Sequence, residues 1–292
     1  MAIRKKGMFS DPLTIPEVMS GKRIYDELKK IVWAKKLLND NKVKTAISCK
    51  PNSRRKVSEL FAIKSALFEL RFAGLIHSLN LTAEYEYKTG VGGSSVDFKI
   101  EKNKKQWLIE LTSLKESIEV KKNTRVKGNQ FCYLSISKNN ENSPEVFDLI
   151  KVQNAIINKT INNDGKPIKF DKHKRNVYNI ILIDMRAFNA GAADYFDCFN
   201  IVNGSELLLN PKYGFYVRYW IDEKGQSSLI KGLFDKAYPD KNAKNVRNRI
   251  HAIGFVLEKD FSDNEMNKKI MFFPNPKFFK SMEDFKKICP LT

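Results

Sequence analysis

Two carboxylates on the two strands of one predicted β-hairpin could carry chemistry in this chain. Asp97 lies near the start of the segment 94–100, and Glu110 lies inside the apolar segment 107–113. A short polar turn, residues 101–106, joins the two segments, so pairing would bring both carboxylates to one point. Oxygen ligands of this kind suit a divalent cation such as Mg²⁺. The spacing therefore indicates a metal site.

Alternation along the second strand divides its side chains between two faces. Glu110 shares one face with Leu108 and Thr112. The opposite face is wholly apolar: Trp107, Ile109 and Leu111. A carboxylate in such a strand is costly to bury unless it is paired or bound to metal. The alternatives are an edge strand with Glu110 facing water and, for Asp97, a bond to nearby backbone after a glycine-rich stretch.

A helix predicted upstream supplies a third carboxylate, Glu69. Residues 57–79 have helical periodicity. The apolar residues available to a core face are Leu60, Ile63, Leu67, Leu70 and Leu75. Small residues around Glu69 would let the helix lie close to a sheet while the acid points into a shared cavity. Its own helix offers no basic partner at the right spacing, so the alternative is a salt bridge to a basic residue elsewhere in the chain.

A helix acid, a strand and two hairpin carboxylates, in this order, resemble the PD-(D/E)xK nuclease superfamily, to which restriction endonucleases and many repair and defence nucleases belong. The matching residues are Glu69, Asp97 and Glu110, and the resemblance covers about residues 57–185. It implies an α/β fold with a mixed central β-sheet flanked by helices, and Mg²⁺-dependent hydrolysis of phosphodiester bonds, with Mn²⁺ as an alternative metal. Asp97 and Glu110 would bind the metal, and Glu69 would complete or support its shell. A role in restriction or phage defence would follow from the resemblance alone.

The sequence departs from this pattern at Thr112, where the superfamily usually has a lysine two residues after the glutamate. A lysine there would orient the attacking water or stabilise negative charge on the phosphate. A threonine hydroxyl can bond to water but brings no positive charge. Lys115 on the following turn and Lys159 on the next predicted helix are the candidates to replace it. A catalytically inactive nucleic-acid-binding protein on the same fold is therefore the main alternative function.

The helix that carries Lys159 has a clear predicted start. Ser143 can cap it, Pro144 fits its first turn, and Glu145 is an early acid. Apolar residues then recur at helical spacing through residue 157, and Lys159 lies beside that apolar stripe. It could therefore reach a site on the sheet. The alternative is a lysine at the edge of a core face with its ammonium in water.

The chain has a large excess of positive charge. Its 52 Lys and Arg residues against 33 Asp and Glu give a net charge of +19 and a pI near 9.6. Such an excess suits a polyanion, which favours nucleic acid, DNA first, as the partner. The alternative is charge that only maintains solubility. Basic runs occur at 50–56, 102–105, 169–175 and 241–249. The residues predicted to contact nucleic acid are Arg54, Arg55, Lys56, Lys104, Lys105, Arg247 and Arg249.

Other function classes have little support. The four cysteines form no CxxC pair and no two of the three histidines lie within a turn of each other, which argues against a zinc site or a Cys–His nucleophile. No stretch is long and apolar enough to span a membrane, and the N-terminus does not resemble a signal peptide. We therefore expect no membrane partner and a cytoplasmic location, and a homodimer is left open.

The predicted organisation has three parts. A basic, partly helical N-terminal extension covers residues 1–56, with one helix around 25–38. A nuclease core covers 57–185, and a strand-rich C-terminal extension packed on that core covers 186–292. The predicted strands beyond the hairpin are 130–137 and 177–184 in the core, then 214–221, 227–234, 252–257 and 270–273, and a last short helix follows.

Overall fold

The computed structural model of the protein describes residues 14–50, 57–114, 124–127, 130–133, 142–186, 188, 193–258, 261 and 266–292. Within these ranges the α-helices are α1 Ile15–Leu28, α2 Lys35–Asn39, α3 Asn41–Ser48, α4 Val57–Ser78, α5 Pro144–Asn158, α6 Tyr195–Asn203, α7 Ala243–Arg249 and α8 Met282–Lys286. The strands are β1 Ala83–Lys88, β2 Ser95–Lys102, β3 Lys105–Ser113, β4 Thr124–Lys127, β5 Gln130–Tyr133, β6 Val177–Asp184, β7 Tyr219–Ile221, β8 Ser227–Leu229, β9 Ala252–Val256 and β10 Ile270–Pro274.

One six-stranded sheet, in the order β1-β2-β3-β6-β9-β10, organises the molecule. The first three strands form an antiparallel meander, β6 and β9 continue the sheet in parallel, and β10 returns antiparallel at the edge. The sheet is therefore mixed, and helices cover both of its faces. This confirms the predicted fold class, an α/β fold with a mixed central β-sheet flanked by helices. It also places β3 in the interior, between β2 and β6.

Two hydrophobic cores lie on opposite faces of the sheet. Alternate residues of β3 divide between them, because Trp107, Ile109 and Leu111 belong to one core and Leu108 belongs to the other. The first core contains the buried residues of α1 to α4, and the second contains those of α5 to α7. A strand buried on both faces offers a polar side chain no route to bulk water, so Glu110 on β3 must find its partners inside the protein.

The helices that flank the site begin and pack as their sequences predict. Ser143 caps α5, with its hydroxyl accepting a hydrogen bond from the Val146 N–H at 3.3 Å, and Pro144 occupies the first turn. On α4 the five predicted core residues are all buried: Leu60, Ile63, Leu67, Leu70 and Leu75. The two helices therefore approach the sheet from opposite sides, each by its apolar face.

The prediction of a single helix around residues 25–38 was wrong. In place of one helix around residues 25–38, α1 ends at Leu28 and two shorter helices follow. The signal for α1 was a cap, since the Thr14 hydroxyl accepts a hydrogen bond from the Glu17 N–H, and a proline in the first turn. Asp40 caps α3 in the same way, through the Lys42 N–H. Both caps lie outside the run 25–38, whose apolar spacing alone resembles one helix.

Three strand predictions need correction. The strand expected over 130–137 in the central sheet is, in its described part, β5, which pairs only with β4 in a separate two-stranded sheet. The strand expected over 214–221 is shorter, because Gly214–Tyr216 forms a 3₁₀ turn and β7 begins at Tyr219. The hairpin of β7 and β8 does form, around the predicted 222–225 turn, but β8 ends at Leu229 and not at 234.

Part of the predicted C-terminal extension lies within the central sheet. β9 pairs with β6 in parallel, and β10 pairs with β9. The three-part division of the chain stays a prediction, but these two strands complete the sheet that carries the site. Among the described residues, no helix combines the length and the apolar character needed to cross a bilayer.

Candidate active site

Glu110 lies at the centre of the site and is completely buried, with 0% of its surface exposed. Its strand is interior, so the alternative of an edge strand with Glu110 facing water is wrong. Glu110 points to the α5 side of the sheet, the side of Leu108, its neighbour two residues back. A carboxylate in this position is stable only with strong compensation, which makes its partners the defining feature of the site.

Two lysines compensate Glu110, and both bind the same oxygen. Lys159 Nζ donates to Glu110 Oε1 at 2.6 Å, and Lys169 Nζ donates to it at 2.5 Å. The other oxygen, Oε2, is buried and has no hydrogen-bond partner within the described ranges. The lysine side chains remain 32% and 18% exposed, so each ammonium group faces both the buried carboxylate and the solvent side of the site.

Lys159 reaches Glu110 from the end of α5, where it is the C-terminal cap residue. Burial lowers the pKa of its ammonium, but Glu110, Asp97 and Glu69 outweigh that effect and hold the pKa above its usual range. The lysine is therefore a permanent cation of the site. The structure thus places the Lys159 ammonium on Glu110, which is where a replacement for the missing lysine would have to lie.

Sequence reasoning missed Lys169. It lies between α5 and β6, in a segment without periodicity, and only its place at the start of the basic run 169–175 marked it. Its backbone is in the left-handed region, with φ +62°, and its N–H donates to the carbonyl of Val91 at 3.3 Å. That contact joins it to the glycine-rich loop 90–93. A tertiary contact of this kind leaves no spacing pattern in the sequence.

Asp97 lies where β2 and β3 separate. The paired register between these strands runs from Lys102 and Lys105 back to Phe98 and Ile109. One residue beyond that last pair, the Asp97 carboxylate accepts a hydrogen bond from the N–H of Leu111 at 2.6 Å. Its side chain thus takes the place of a backbone acceptor. The alternative of a carboxylate bonded to backbone is correct in this sense, but the bond joins Asp97 to the strand of Glu110.

The protonation of Asp97 is strongly perturbed. Burial of its carboxyl, followed by the nearby Glu110 and Glu69, raises the pKa of Asp97 to about 8, against the lowering effect of the Leu111 N–H and Lys159. The carboxyl is thus predominantly protonated at neutral pH in the absence of a cation. Since Asp97 responds to both glutamates and to Lys159, these four charged groups form one electrostatic unit.

Glu69 approaches from the α4 side. Its carboxylate accepts a hydrogen bond from the Tyr85 hydroxyl at 2.7 Å, which is a polar contact to β1 rather than the ion pair that the alternative required. Burial raises the pKa of Glu69, and the Tyr85 hydroxyl and Lys42 only partly offset this effect. Glu69 therefore lies on the α4 side of the sheet, and its charge raises the pKa of Asp97 in addition to the larger effects of burial and Glu110.

Thr112 lies two residues after Glu110 on the same face of β3. It is buried, and its hydroxyl has no hydrogen-bond partner in the described part of the chain. The hydroxyl therefore brings an uncompensated polar atom to the site, but no charge. Lys115, the second candidate for the missing lysine, lies outside the described residues. Lys159 and Lys169 are the cations that the structure brings to this place.

A divalent cation at this site would need several oxygen ligands close together. Across the described residues, no group of three or more His, Cys, Asp or Glu side chains is arranged to hold a metal ion. Two observations nevertheless fit a cation between Asp97 and Glu110. Glu110 Oε2 is buried with no hydrogen-bond partner among the described residues, and Glu110 adds to the effect of burial in raising the pKa of Asp97, through like-charge repulsion that a bound cation would offset. The donors at this place are carboxylate and hydroxyl oxygens only, and such ligands suit Mg²⁺ or Mn²⁺.

The residues predicted to contact nucleic acid divide into three groups. Lys104 is exposed at the β2–β3 turn and Lys105 is half-buried beside it. The Arg247 guanidinium donates to the carbonyl of Asp235 at 2.9 Å, and the buried Arg249 donates to that of Phe170 at 3.1 Å. These bonds give Arg249 a structural role in place of the predicted contact. Arg54, Arg55 and Lys56 lie outside the described residues.

Asp184, at the end of β6 beside β3, is a further carboxylate that could approach the site. Its carboxylate instead pairs with the guanidinium of Arg186, which also pairs with the buried Glu17 of α1. The strand-end aspartate thus joins α1 to the sheet, and its charge is compensated there.

Comparison of the chain with protein-family models, with curated proteins and with solved structures gives no match.

Proposed function

We propose that the protein is a divalent-cation-dependent nuclease that hydrolyses phosphodiester bonds of nucleic acid, with DNA the favoured substrate. The observation that carries the proposal is the buried Glu110 on an interior strand, with Asp97 beside it and two lysines on one of its oxygens. The order of α4, β1 and the β2–β3 hairpin agrees with the resemblance to the PD-(D/E)xK superfamily. A net charge of +19 suits a polyanionic substrate.

Asp97 and Glu110 would hold the cation, and Glu69 would support Asp97 from the α4 side. When bound, the cation would lower the pKa of a water and offset charge on the phosphate. Lys159 and Lys169 would stabilise the negative charge that develops on the phosphate, the task of the lysine that Thr112 replaces. The Thr112 hydroxyl would accept or donate a hydrogen bond to the attacking water.

A second candidate function is a nucleic-acid-binding protein on the same fold without catalysis. The observation that favours it is the pair of ammonium groups on Glu110 Oε1. A carboxylate oxygen already bound to two cations offers less to a metal, and Thr112 supplies no charge. In this reading the lysines neutralise Glu110 and stabilise the fold.

The first prediction separates these two functions. Purified protein is incubated with plasmid, duplex, single-stranded DNA and RNA, with Mg²⁺, Mn²⁺ or EDTA. We expect metal-dependent cleavage that Asp97→Asn and Glu110→Gln each reduce by about 10²-fold or more, the scale of losing one electrostatic group. Glu101→Gln is the matched control, since Glu101 lies on the same hairpin but is exposed and paired with Lys99.

Cleavage by both site variants at the wild-type rate would show that the assignment is wrong. No cleavage by the wild type under any condition, combined with retained binding of nucleic acid, would select the second function.

A further inference from the structure

The backbone around Lys169 is fixed on both sides by hydrogen bonds to separate elements. The N–H of Ile168 donates to the carbonyl of Thr160 at 3.0 Å, just beyond α5. The N–H of Lys169 itself donates to Val91 of the loop 90–93 at 3.3 Å. Phe170, the next residue, is completely buried. The direction in which the Lys169 side chain leaves the backbone is therefore set by the loop and by the end of α5 together.

Gly92 lies at the point where the loop meets this segment. Its φ is +60°, and a Cβ atom there would lie 2.9 Å from Ile168 Cγ2, 3.0 Å from the Pro167 carbonyl oxygen and 3.2 Å from Ile168 Cα. Two of these three atoms are backbone and the third is a methyl attached to Cβ, so the clash cannot be relieved by moving the end of a flexible side chain. A side chain at Gly92 would therefore crowd the backbone that precedes Lys169.

The two other glycines of the loop differ from Gly92 in this respect. Gly90 and Gly93 also have positive φ, +78° and +68°, but a Cβ at either would meet no atom of the described residues within 4 Å. The loop therefore needs glycine at 90 and 93 for conformation alone, and at 92 for conformation and for close approach. The close approach of Gly92 to Pro167 and Ile168 connects this loop to the segment that carries Lys169.

We propose that Gly92 is a positioning residue, which seats the 167–169 segment against the loop and so places the Lys169 ammonium on Glu110 Oε1. The consequence for cleavage rests on the proposed function. The placement itself does not, because it concerns only the contact between Lys169 and Glu110. Lys159 reaches the same oxygen from the C-terminal cap of α5, outside the segment 167–169 that Gly92 contacts, and therefore serves as the reference.

The test compares Gly92→Ala with Gly93→Ala. Both substitutions put alanine at a positive φ and carry a similar conformational cost, but only the first pushes on Pro167 and Ile168. Lysine acetylation by an N-hydroxysuccinimide ester, followed by mass spectrometry, reports how well each ammonium is protected by Glu110. We expect Gly92→Ala to raise the labelling rate of Lys169 several-fold relative to Lys159, and Gly93→Ala to leave that ratio at the wild-type value.

A second-site change checks that the contact with Ile168 is the cause. Adding Ile168→Ala to Gly92→Ala removes the 2.9 Å contact and should return the Lys169 labelling ratio towards the wild-type value. If Gly92→Ala alone does not fold, as judged by circular dichroism, this double variant is compared with Ile168→Ala instead. Its Lys169 should then still be labelled faster, because the contact with the Pro167 carbonyl remains.

The outcomes separate the two proposals. Equal effects of Gly92→Ala and Gly93→Ala on Lys169 labelling, or no effect of Gly92→Ala, would overturn the positioning role. If the wild type cleaves nucleic acid, Gly92→Ala should lower the rate about tenfold, since small displacements of a catalytic group are costly, while Gly93→Ala stays near the wild-type rate. If the wild type does not cleave but the labelling pattern holds, the positioning role stands and the nuclease proposal fails.

Discussion

Single residues of the site differ in how their buried charge is compensated. Glu110 has two ammonium groups on one oxygen and, in the described part of the chain, no partner on the other. Asp97 has one backbone N–H and faces two glutamates. Burial, followed by the two glutamates, raises the pKa of Asp97, so its carboxyl keeps its proton near neutral pH. A cation beside Asp97 would favour its ionised form.

The second prediction concerns the pH dependence of stability without metal. The pKa of Asp97 is about 8 in the folded protein, against 3.8 for an ordinary aspartate. Between these values the folded protein keeps a proton that the unfolded chain has released, so the free energy of unfolding falls as pH rises from about 4 to 8. Asp97→Asn removes this loss. In EDTA at pH 8 the variant should exceed the wild type in stability by about 1–3 kcal/mol.

Urea unfolding at pH 3, 6 and 8 measures this difference, which should shrink towards zero at pH 3, where Asp97 is mostly protonated in both states. Asp171→Asn is the control, and it should change the free energy of unfolding in the opposite direction. The hydrogen bond to Lys174 lowers the pKa of Asp171, so its ionised form stabilises the folded protein. A wild-type protein that gains stability over Asp97→Asn as pH rises would show that Asp97 is ionised in the folded state.

The two cations of the site, Lys159 and Lys169, lie on separate elements. Lys159 ends α5, whereas Lys169 depends on the loop 90–93 and on the segment before β6. Loss of either lysine leaves the buried Glu110 with one ammonium group. Loss of both leaves it without a cation, and an uncompensated buried charge costs about 3–5 kcal/mol. The two substitutions should therefore not be additive.

The third prediction is the corresponding double-mutant cycle. Lys159→Met and Lys169→Met should each lower the free energy of unfolding by about 1–2 kcal/mol, and the double variant by more than the sum of the two. Adding Glu110→Gln to the double variant should restore much of the loss, since the buried charge is then gone. Urea unfolding at pH 7 in EDTA measures all of these values.

Lys172→Met is the control for the cycle, because Lys172 is exposed and close in sequence to Lys169. Strict additivity, or no recovery with Glu110→Gln, would show that the lysines do not share one buried carboxylate.

The elements whose patterns are local were predictable from sequence. The periodicity of α4, the cap of α5, the apolar run of β6 and the polar turn of the β2–β3 hairpin each identify their element. The hairpin placed Asp97 and Glu110 together, and α5 placed Lys159 near them. These are features that a few neighbouring residues determine.

The features that depend on tertiary contact were not predictable in this way. Lys169 reaches the site through a positive φ and a hydrogen bond to Val91, neither of which leaves a spacing pattern. The short strand β5 looked like a core strand because apolar β-prone residues are common to both. Arg249 belongs to a basic run, and composition alone predicted an exposed residue. In the structure its side chain is buried and donates to the carbonyl of Phe170.

On the scale of the whole molecule, the remaining question is whether the net charge of +19 binds a polyanion. The structure separates basic residues that are available from those that are engaged. Lys104 is exposed at the tip of the hairpin that carries Asp97 and Glu110, and Lys105 lies next to it. Arg247 and Arg249 donate to carbonyls of the chain itself. The hairpin lysines are therefore the better test of phosphate contact.

The fourth prediction is that binding to duplex DNA weakens steeply with salt, because each phosphate contact releases counterions and contributes about −0.9 to the log–log slope. Reversing both charges, Lys104→Glu with Lys105→Glu, should make the slope shallower by about two contacts, or roughly 1.8. Lys212→Glu with Lys224→Glu is the matched control, since it changes the net charge equally at exposed lysines outside the predicted basic runs. Fluorescence anisotropy across a salt series measures each slope. A local contact predicts that only the hairpin pair changes the slope, whereas a diffuse field predicts equal changes from both pairs. A flat response in the wild type would make the positive charge a feature of solubility and would remove the main support for a nucleic-acid substrate.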